Sequence, residues 1–447
     1  MRKRSVYLET FGCQMNVADS ERAASVLHAA GYDLTDSSDA AEVVIINTCS
    51  VREKAEQKAL RRIREINRGR PNNAPIIGVM GCVAQLEGES LFENAPSIKV
   101  VIGTGATERI PQLLRRAEED GERVIDLGER GSKTFDDITP SERHSKHVAF
   151  VPIIEGCNKF CTYCIVPYSR GRERSRPANE IIGEVRKLFA QGFREIQLIG
   201  QNVNSYRPKS EVGLEKFSGA TPFSKLLRAV ASTGMPRLKF TTSFPRDFHA
   251  DIVKAIDENE NLCNWVHLPV QSGNDRILRA MRRGYKVEDY LRRVDAIKGA
   301  RRRIALTSDV IIGFPGESEE EFKDTLKLLE RCRFDGLYIF KYSARRGTPA
   351  AKLSETVDES EKTRRFLALE ELQMAIQRKI YNDLIGADVE VLVEGRSARS
   401  AADVTGHTSC NKVINFPGSS GLAGKIVYVR VTGAKSHSLY GEASNVL

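Results

Sequence analysis

Long hydrophobic runs are missing from this sequence. No stretch of 18 apolar residues occurs, so we expect no membrane-spanning helix. The apolar run behind the basic start, residues 6–8, is far too short for a secretory signal peptide. Hydrophobic residues make up 41% and charged residues 28% of the 447 positions, which is ordinary for a globular protein. We therefore expect a soluble chain of two or three domains that works in the cytoplasm without a membrane partner.

A fourth ligand is missing from the most conspicuous cysteine motif. The chain has nine cysteines, and in a cytoplasmic protein we do not expect them to form a disulfide framework. Three form the run Cys157-x-x-x-Cys161-x-x-Cys164, and neither Cys nor His follows at the short spacing of a zinc site. A cubane iron–sulfur cluster normally takes four thiolates, so three would leave one iron open to bind S-adenosylmethionine. A zinc knuckle and buried structural thiols are the alternatives.

Three further cysteines each follow an apolar, strand-like run. Cys13, Cys49 and Cys82 come after the runs at residues 6–9, 43–46 and 76–80. The carboxyl ends of parallel strands share one edge of a sheet, so these thiols are predicted to form a second three-ligand site. Three buried structural cysteines are the alternative interpretation.

The net charge of +9 is unevenly distributed. Lys and Arg number 19 against 23 Asp and Glu in residues 1–142, 41 against 30 in residues 143–373, and 8 against 6 in residues 374–447. The basic excess lies with the central cysteine run, which favours a polyanionic partner such as RNA or DNA. General solubility is the alternative.

The hydrophobic pattern predicts an α/β protein in three parts. Residues 1–120 alternate strand and helix, which predicts a parallel sheet, and charged residues 121–147 are predicted to be a linker. Residues 148–373 repeat a strand–helix unit about six times, which suits a partial (β/α)6 barrel, with a doubly wound sheet as the alternative. Residues 374–447 carry five short strands, typical of a small β-barrel.

Polar residues at the ends of the central strands are candidates for holding a cofactor and a substrate. Gly200, Gln201, Gln271 and Asp309 occupy such positions, although turn formation and helix capping explain strand-end residues equally well. A basic loop follows the cysteine run, and three of its arginines are predicted to contact a phosphate backbone: Arg170, Arg172 and Arg174.

The motifs together resemble a known family. The run from Cys157 to Cys164 is similar to the signature of radical S-adenosylmethionine enzymes. With Cys13, Cys49, Cys82 and the C-terminal β-rich segment, the whole chain resembles the radical S-adenosylmethionine methylthiotransferases. That family combines an N-terminal methylthiotransferase domain, a radical barrel and an RNA-binding TRAM domain.

The resemblance implies two 4Fe-4S clusters, one on each cysteine triad, with S-adenosylmethionine as cofactor and Tyr163 beside its adenine. It implies that a methylthio group is added to C2 of N(6)-dimethylallyladenosine at position 37 of tRNA, in the anticodon loop, with no catalytic residues beyond the clusters. The implied RNA contacts include Asn411 and Lys412. The implied partners are a reducing donor such as flavodoxin or ferredoxin and a sulfur source, with the enzyme as a monomer.

Two positions depart from the family pattern. Phe244 stands where His is frequent, and Arg346 stands where Pro is frequent. The alternatives are a methylthiotransferase for threonylcarbamoyladenosine or for a protein side chain, and a non-catalytic metal-dependent RNA-binding protein.

Overall fold

The computed structural model describes residues 4–51, 53–68, 74–129 and 142–446. Its N-terminal part is a six-stranded, wholly parallel sheet in the order β2-β1-β3-β4-β5-β6, which confirms the predicted parallel α/β sheet. The strands are β1 (Ser5–Phe11), β2 (Asp33–Leu34), β3 (Val43–Thr48), β4 (Ile76–Gly81), β5 (Ile98–Ile102) and β6 (Val124–Asp126). The helices are α1 (Gln14–Ala29), α2 (Glu53–Arg68), α3 (Cys82–Glu87), α4 (Ser90–Asn94) and α5 (Ile110–Glu119).

Strand β3 shows why this sheet is covered on both faces. All six of its residues are buried, as expected for a central parallel strand. Val43 and Ile45 pack into one apolar cluster with Leu113 of α5. Val44 and Ile46 point to the opposite face and join a second cluster. Alternate side chains of one strand therefore build two cores.

The predicted linker at 121–147 is partly wrong. Residues 124–126 form β6, which pairs in parallel with β5 through Val100 and Val124. Near its other end, Arg143 is buried and hydrogen-bonds Glu21 of α1. The linker positions 130–141 lie outside the described residues.

The central part contains two adjacent sheets whose parallel strands follow the chain order. One sheet has the order β10-β9-β7-β8 and the other β11-β12-β13, and a parallel bridge between Leu238 and Leu262 lies at the junction. Consecutive strands are neighbours without the order reversal of a doubly wound sheet, so the architecture is the predicted partial barrel. The strands are β7 (Val148–Glu155), β8 (Arg174–Ser175), β9 (Glu195–Gly200), β10 (Arg237–Phe240), β11 (Trp265–His267), β12 (Ala305–Ile312) and β13 (Gly336–Lys341).

The helices that cover this barrel follow the strands in turn. They are α6 (Val166–Arg170), α7 (Ala178–Ala190), α8 (Pro222–Ala231), α9 (Ala250–Glu258), α10 (Asp275–Ala280), α11 (Val287–Lys298), α12 (Glu319–Cys332) and α13 (Glu359–Asn382). Within the described ranges, no helix combines the length and the apolar content that crossing a membrane requires.

The C-terminal part is a closed five-stranded barrel in the order β14-β15-β16-β18-β17, as predicted. Its strands are β14 (Asp388–Arg396), β15 (Asp403–Thr408), β16 (Val413–Pro417), β17 (Ile426–Ala434) and β18 (Leu439–Val446). The predicted boundary between residues 373 and 374 falls inside α13. Leu369 of that helix packs in the central core, whereas Ile376 and Ile380 pack in the barrel core, so one helix serves both domains.

Candidate functional site

The three N-terminal cysteines lie at one edge of the first sheet, as their strand-end positions predicted. Strands β1, β3 and β4 pair in register, with Phe11 opposite Thr48 and Thr48 opposite Gly81. Cys13 caps α1, Cys49 follows β3 and Cys82 begins α3. The thiols of Cys13 and Cys49 are close enough to shift each other's pKa, and Cys82 contributes to the shift at Cys49.

The thiols of this N-terminal triad affect one another. Contact with Cys49 lowers the pKa of Cys13 to about 6, and Arg170 contributes to the shift. The same contact raises the pKa of Cys49. A lowered thiol pKa favours the thiolate, which is the form in which cysteine binds a metal.

A buried asparagine pair fixes the backbone around the N-terminal triad. Asn16 and Asn47 are fully buried, and the Asn16 Nδ2 donates to Asn47 Oδ1 at 3.1 Å. Asn16 Oδ1 also accepts from the Cys13 N–H at 3.3 Å. Gly81 has φ +94°, and a Cβ there would lie 2.3 Å from Asn47 Oδ1. Sequence reasoning missed this pair, although an Asn in the apolar strand β3 was a visible signal.

Gly81→Ala is therefore expected to lower the free energy of unfolding by about 1–3 kcal/mol, since the backbone conformation is strained for any residue with a Cβ. Gly183→Ala is the matched control, because a Cβ at Gly183 in α7 meets nothing within 4 Å. That change is expected to be neutral or to stabilise by up to about 1 kcal/mol. Urea unfolding of the three proteins measures both effects, and an equal loss in the two variants would contradict the explanation.

The central triad lies in the loop between β7 and α6. The Cys157 N–H donates to the Gly171 carbonyl at 3.1 Å, and the Cys164 N–H donates to the Cys161 carbonyl at 2.9 Å. Gly156, at φ +78°, has no room for a Cβ, which would lie 2.1 Å from the Arg172 carbonyl oxygen. The loop is thus folded back on itself at the carboxyl end of a barrel strand, where chemistry is found in barrel enzymes.

Donors from the central domain contact the sulfur atoms of this triad. Asn202 Nδ2 donates to Cys157 Sγ at 3.0 Å, and Arg283 Nη1 donates to Cys161 Sγ at 3.4 Å. Burial raises the pKa of Cys157 and raises the pKa of Cys164 to about 12. Buried thiols with N–H donors suit thiolates that are neutralised by bound iron.

Both triads fit iron–sulfur clusters by their donor chemistry. Each triad consists of sulfur ligands alone. In each, at least one sulfur accepts a hydrogen bond from an arginine or asparagine side chain. Among the described residues, no group of three His, Cys, Asp or Glu side chains has the arrangement of ligands around a single metal ion. A cubane differs from such a site because each thiolate binds its own iron.

Several predicted cofactor residues lie around the central triad. The Tyr163 hydroxyl accepts from Arg283 at 3.3 Å. Gly200 lies against β7, where a Cβ would lie 2.3 Å from a side-chain carbon of Ile154. The Gln201 Oε1 is buried and has no hydrogen-bond partner among the described residues, as expected of an atom that binds a ligand.

Gln271 and Asp309 belong to the second sheet of the barrel, where Gln271 forms a parallel bridge with Val310 of β12. The Gln271 N–H donates to the Asp309 carbonyl at 2.9 Å, and Gln271 adopts φ +76°. The Asp309 carboxylate is 3.4 Å from His267 Nε2. The structure therefore joins these two residues to each other rather than to the Gly200–Gln201 pair.

Phe244 is one of the two positions that depart from the family pattern, and its ring packs against Arg283, the residue that donates to Cys161. Its buried ring lies 4.4 Å from the Arg283 guanidinium and 5.2 Å from Lys159 Nζ. Arg283 is thus stacked on Phe244 while it donates to Cys161. Sequence reasoning missed both Arg283 and the role of Asn202, since neither has a spacing that ties it to a cysteine.

Two predicted RNA contacts are wrong in this structure. Arg170 is only 2% exposed and donates to Cys82 Sγ at 3.2 Å, so it is not available to a phosphate. Lys412 is 4% exposed and bonds Asp335 at 2.6 Å, between the central domain and the C-terminal barrel. Asn411 is half-buried beside it and accepts from Lys239 at 3.2 Å.

The other two arginines of the basic loop are accessible to solvent. Arg172 is exposed, and Arg174 is half-buried with its guanidinium 3.9 Å from Glu155. Their predicted contact with a phosphate backbone stays a prediction.

A cleft of about 670 Å³ lies between the N-terminal and central domains. Its walls include Ser50, Val83 and Ile165, which directly follow Cys49, Cys82 and Cys164. Arg345 and Arg346, after β13, line the other side, and Arg345 donates to the Val51 carbonyl at 3.1 Å. The cleft is therefore bordered by residues that directly follow cysteines of both triads, and its charged lining combines these two arginines with Glu56 and Glu87.

Known proteins resemble the chain in all three parts. Residues 5–103 match the uncharacterized protein family UPF0004, residues 151–329 the radical SAM superfamily and residues 383–444 the TRAM domain. A radical S-adenosylmethionine methyltransferase, TsrM from Kitasatospora setae, has a similar fold, with a TM-score of 0.55 and 14% identity over 89% of this chain and 82% of that one.

Two bacterial relatives are similar over almost their whole length. Both are named tRNA-2-methylthio-N(6)-dimethylallyladenosine synthase. The one from Solibacter usitatus is 46% identical over 99% of this chain and 98% of its own. The one from Koribacter versatilis is 44% identical over 98% of each chain. At this identity and coverage, the chain belongs to the tRNA-2-methylthio-N(6)-dimethylallyladenosine synthase family of radical S-adenosylmethionine methylthiotransferases.

Proposed function

We propose that this protein adds a methylthio group to C2 of N(6)-dimethylallyladenosine at position 37 of tRNA, beside the anticodon. The observation that carries the proposal is the cleft lined by the residues that follow Cys49, Cys82 and Cys164. A single base held in that cleft would lie beside both triads. Family membership supplies the reaction class. A cleft next to both triads would allow one chain to cleave S-adenosylmethionine and to supply the sulfur at the same base.

The target carbon explains why two triads are needed. C2 of adenine carries an unactivated hydrogen that no side-chain base removes usefully near neutral pH. A cluster held by Cys157, Cys161 and Cys164 would supply the electron that cleaves S-adenosylmethionine, and a cluster held by Cys13, Cys49 and Cys82 would supply the sulfur.

The remaining residues hold and orient the reactants. Gln201, with its unsatisfied buried oxygen, and Tyr163 are proposed to bind S-adenosylmethionine on one side of the barrel. Gln271 and Asp309, in the second sheet, are proposed to bind cofactor or substrate. Asn202 and Arg283 orient Cys157 and Cys161 through their hydrogen bonds.

RNA binding is assigned to basic and barrel surfaces. Arg172 and Arg174 of the basic loop and Arg346 at the cleft are proposed to contact the anticodon-loop backbone. The C-terminal barrel is proposed to grip the tRNA. The target base leaves its stack at a cost of about a few kcal/mol.

We further propose that the protein works in the cytoplasm as a monomer. Its partners would be a reducing donor of the flavodoxin or ferredoxin class and a sulfur source for the N-terminal triad. Residues 1–120 carry the sulfur-donating site, and the radical barrel from residue 148 carries the cofactor site.

Substrate choice is tested by anaerobic assay of the reconstituted full-length protein with S-adenosylmethionine and dithionite. Three tRNAs are compared, bearing dimethylallyladenosine, threonylcarbamoyladenosine or unmodified adenosine at position 37. Nucleoside mass spectrometry is expected to find the methylthio product with the first tRNA alone. Product on the threonylcarbamoyladenosine tRNA, or on none of the three, would contradict the proposal.

A further inference from the structure

Arg170 is a buried cation that joins the two domains at the N-terminal triad. It ends α6 of the central domain, yet its guanidinium reaches the N-terminal domain, where Nε donates to Cys82 Sγ at 3.2 Å. Its Nη2 lies 2.7 Å from the Asp19 carboxylate of α1, and its Nη1 lies 3.3 Å from the Glu155 carboxylate at the end of β7. Arg170 is only 2% exposed, and a charge buried to that extent is tolerated only when carboxylate partners are fixed beside it.

The backbone around Arg170 is fixed from both domains. The Thr104 hydroxyl of the N-terminal domain donates to the Ser169 carbonyl at 3.0 Å. On the other side, the Gly171 carbonyl accepts from the Cys157 N–H at 3.1 Å. Residues 169–171 therefore contact the central triad through the backbone and the N-terminal triad through the Arg170 side chain.

We propose that Arg170 is a positioning residue that orients Cys82 and raises the reduction potential of the cluster held by the N-terminal triad. This inference rests on the proposed function, which places a cluster there. One-electron reduction adds a negative charge to a cluster, and a nearby cation with an N–H donor on a ligand sulfur stabilises the reduced state. Removing that cation makes reduction harder.

Removing a carboxylate partner of Arg170 is expected to shift the reduction potential in the opposite direction from removing Arg170 itself. Asp19 and Glu155 are both buried, at 7% and 4% exposure, and partly neutralise the Arg170 charge. Asp19→Asn keeps the size of the side chain and removes a negative charge near Cys82. That change is expected to raise the potential, whereas Arg170→Gln is expected to lower it. A purely structural role for Arg170 does not produce shifts of opposite sign.

The experiment uses the full-length chain with Cys157, Cys161 and Cys164 replaced by Ala, so that only the N-terminal triad can hold a cluster. After anaerobic reconstitution, dithionite titration monitored by electron paramagnetic resonance gives the midpoint potential of each variant. Arg170→Gln is expected to shift it negatively, Asp19→Asn positively, and Arg170→Lys less than Arg170→Gln. Arg115→Gln removes a charge from the exposed face of α5 and is expected to leave the potential unchanged.

The titration distinguishes a failed role for Arg170 from a failed proposed function. Potentials that do not move, or that move in the same direction in Arg170→Gln and Asp19→Asn, would overturn the role of Arg170. If Arg170→Gln fails to fold by thermal melting, Asp19→Asn decides, and an unshifted potential there overturns the role. A parent protein with no cluster signal at all would instead contradict the proposed function, and the role of Arg170 would fall with it.

Discussion

Cys49→Ala is expected to go on cleaving S-adenosylmethionine while forming no methylthio nucleoside. Cys49 is buried in the N-terminal domain, where its sulfur accepts from the Val51 N–H at 3.4 Å. The central triad is held by donors of its own domain, Asn202 and Arg283. Losing one sulfur from the N-terminal triad should therefore remove the sulfur transfer and leave the cleavage intact.

The size of this effect follows from the loss of a ligand. Removing a hydrogen-bonding partner of a metal ligand typically costs roughly 10- to 100-fold, and removing the ligand itself should cost more. The assay measures 5′-deoxyadenosine and the methylthio nucleoside in one reaction. Cys332→Ala is the matched control, because Cys332 is a fully buried cysteine of the central core, outside both triads. Product at the wild-type level in Cys49→Ala would refute the role assigned to the N-terminal triad.

Cys157→Ala is expected to lose both activities. Cys157 begins the central triad, with its N–H bound to Gly171 and its sulfur bound by Asn202. With one of three sulfur ligands gone, the site no longer has the ligand set of an open cluster, so S-adenosylmethionine cleavage and product formation should both fall by roughly 100-fold or more.

The measurement for Cys157→Ala is the same pair of products, with thermal melting to show that the fold is kept. The chain is expected to stay folded because the substitution removes one small side chain from a loop. Cleavage at the wild-type rate would show that the central triad does not hold the radical-generating cluster.

The convergence of Cys13, Cys49 and Cys82 was predictable because the carboxyl ends of neighbouring parallel strands lie along the same edge of the sheet. Three apolar runs identified the strands, and the pairing of Phe11 with Thr48 and of Thr48 with Gly81 follows from that topology. The central triad was predictable from its spacing alone. Strand β6 was missed because three residues, Val-Ile-Asp, give no periodic signal.

Pairings between distant charged residues were not predictable. Arg170 and Lys412 were assigned to RNA because their sequence neighbours are basic or match a family motif. Their partners, Cys82 for Arg170 and Asp335 for Lys412, lie 88 and 77 positions away and leave no periodic pattern in the sequence. Arg283 was missed for the same reason, since only the folded barrel brings it to Cys161.

The central claim is that both triads of one chain serve a single cleft. The most direct test mixes equal amounts of Cys49→Ala and Cys157→Ala in one anaerobic reaction with the dimethylallyladenosine tRNA. Each protein keeps one intact triad, but no chain has both beside the same cleft. Nucleoside mass spectrometry is expected to find no methylthio product from the mixture, and restored product would contradict the account.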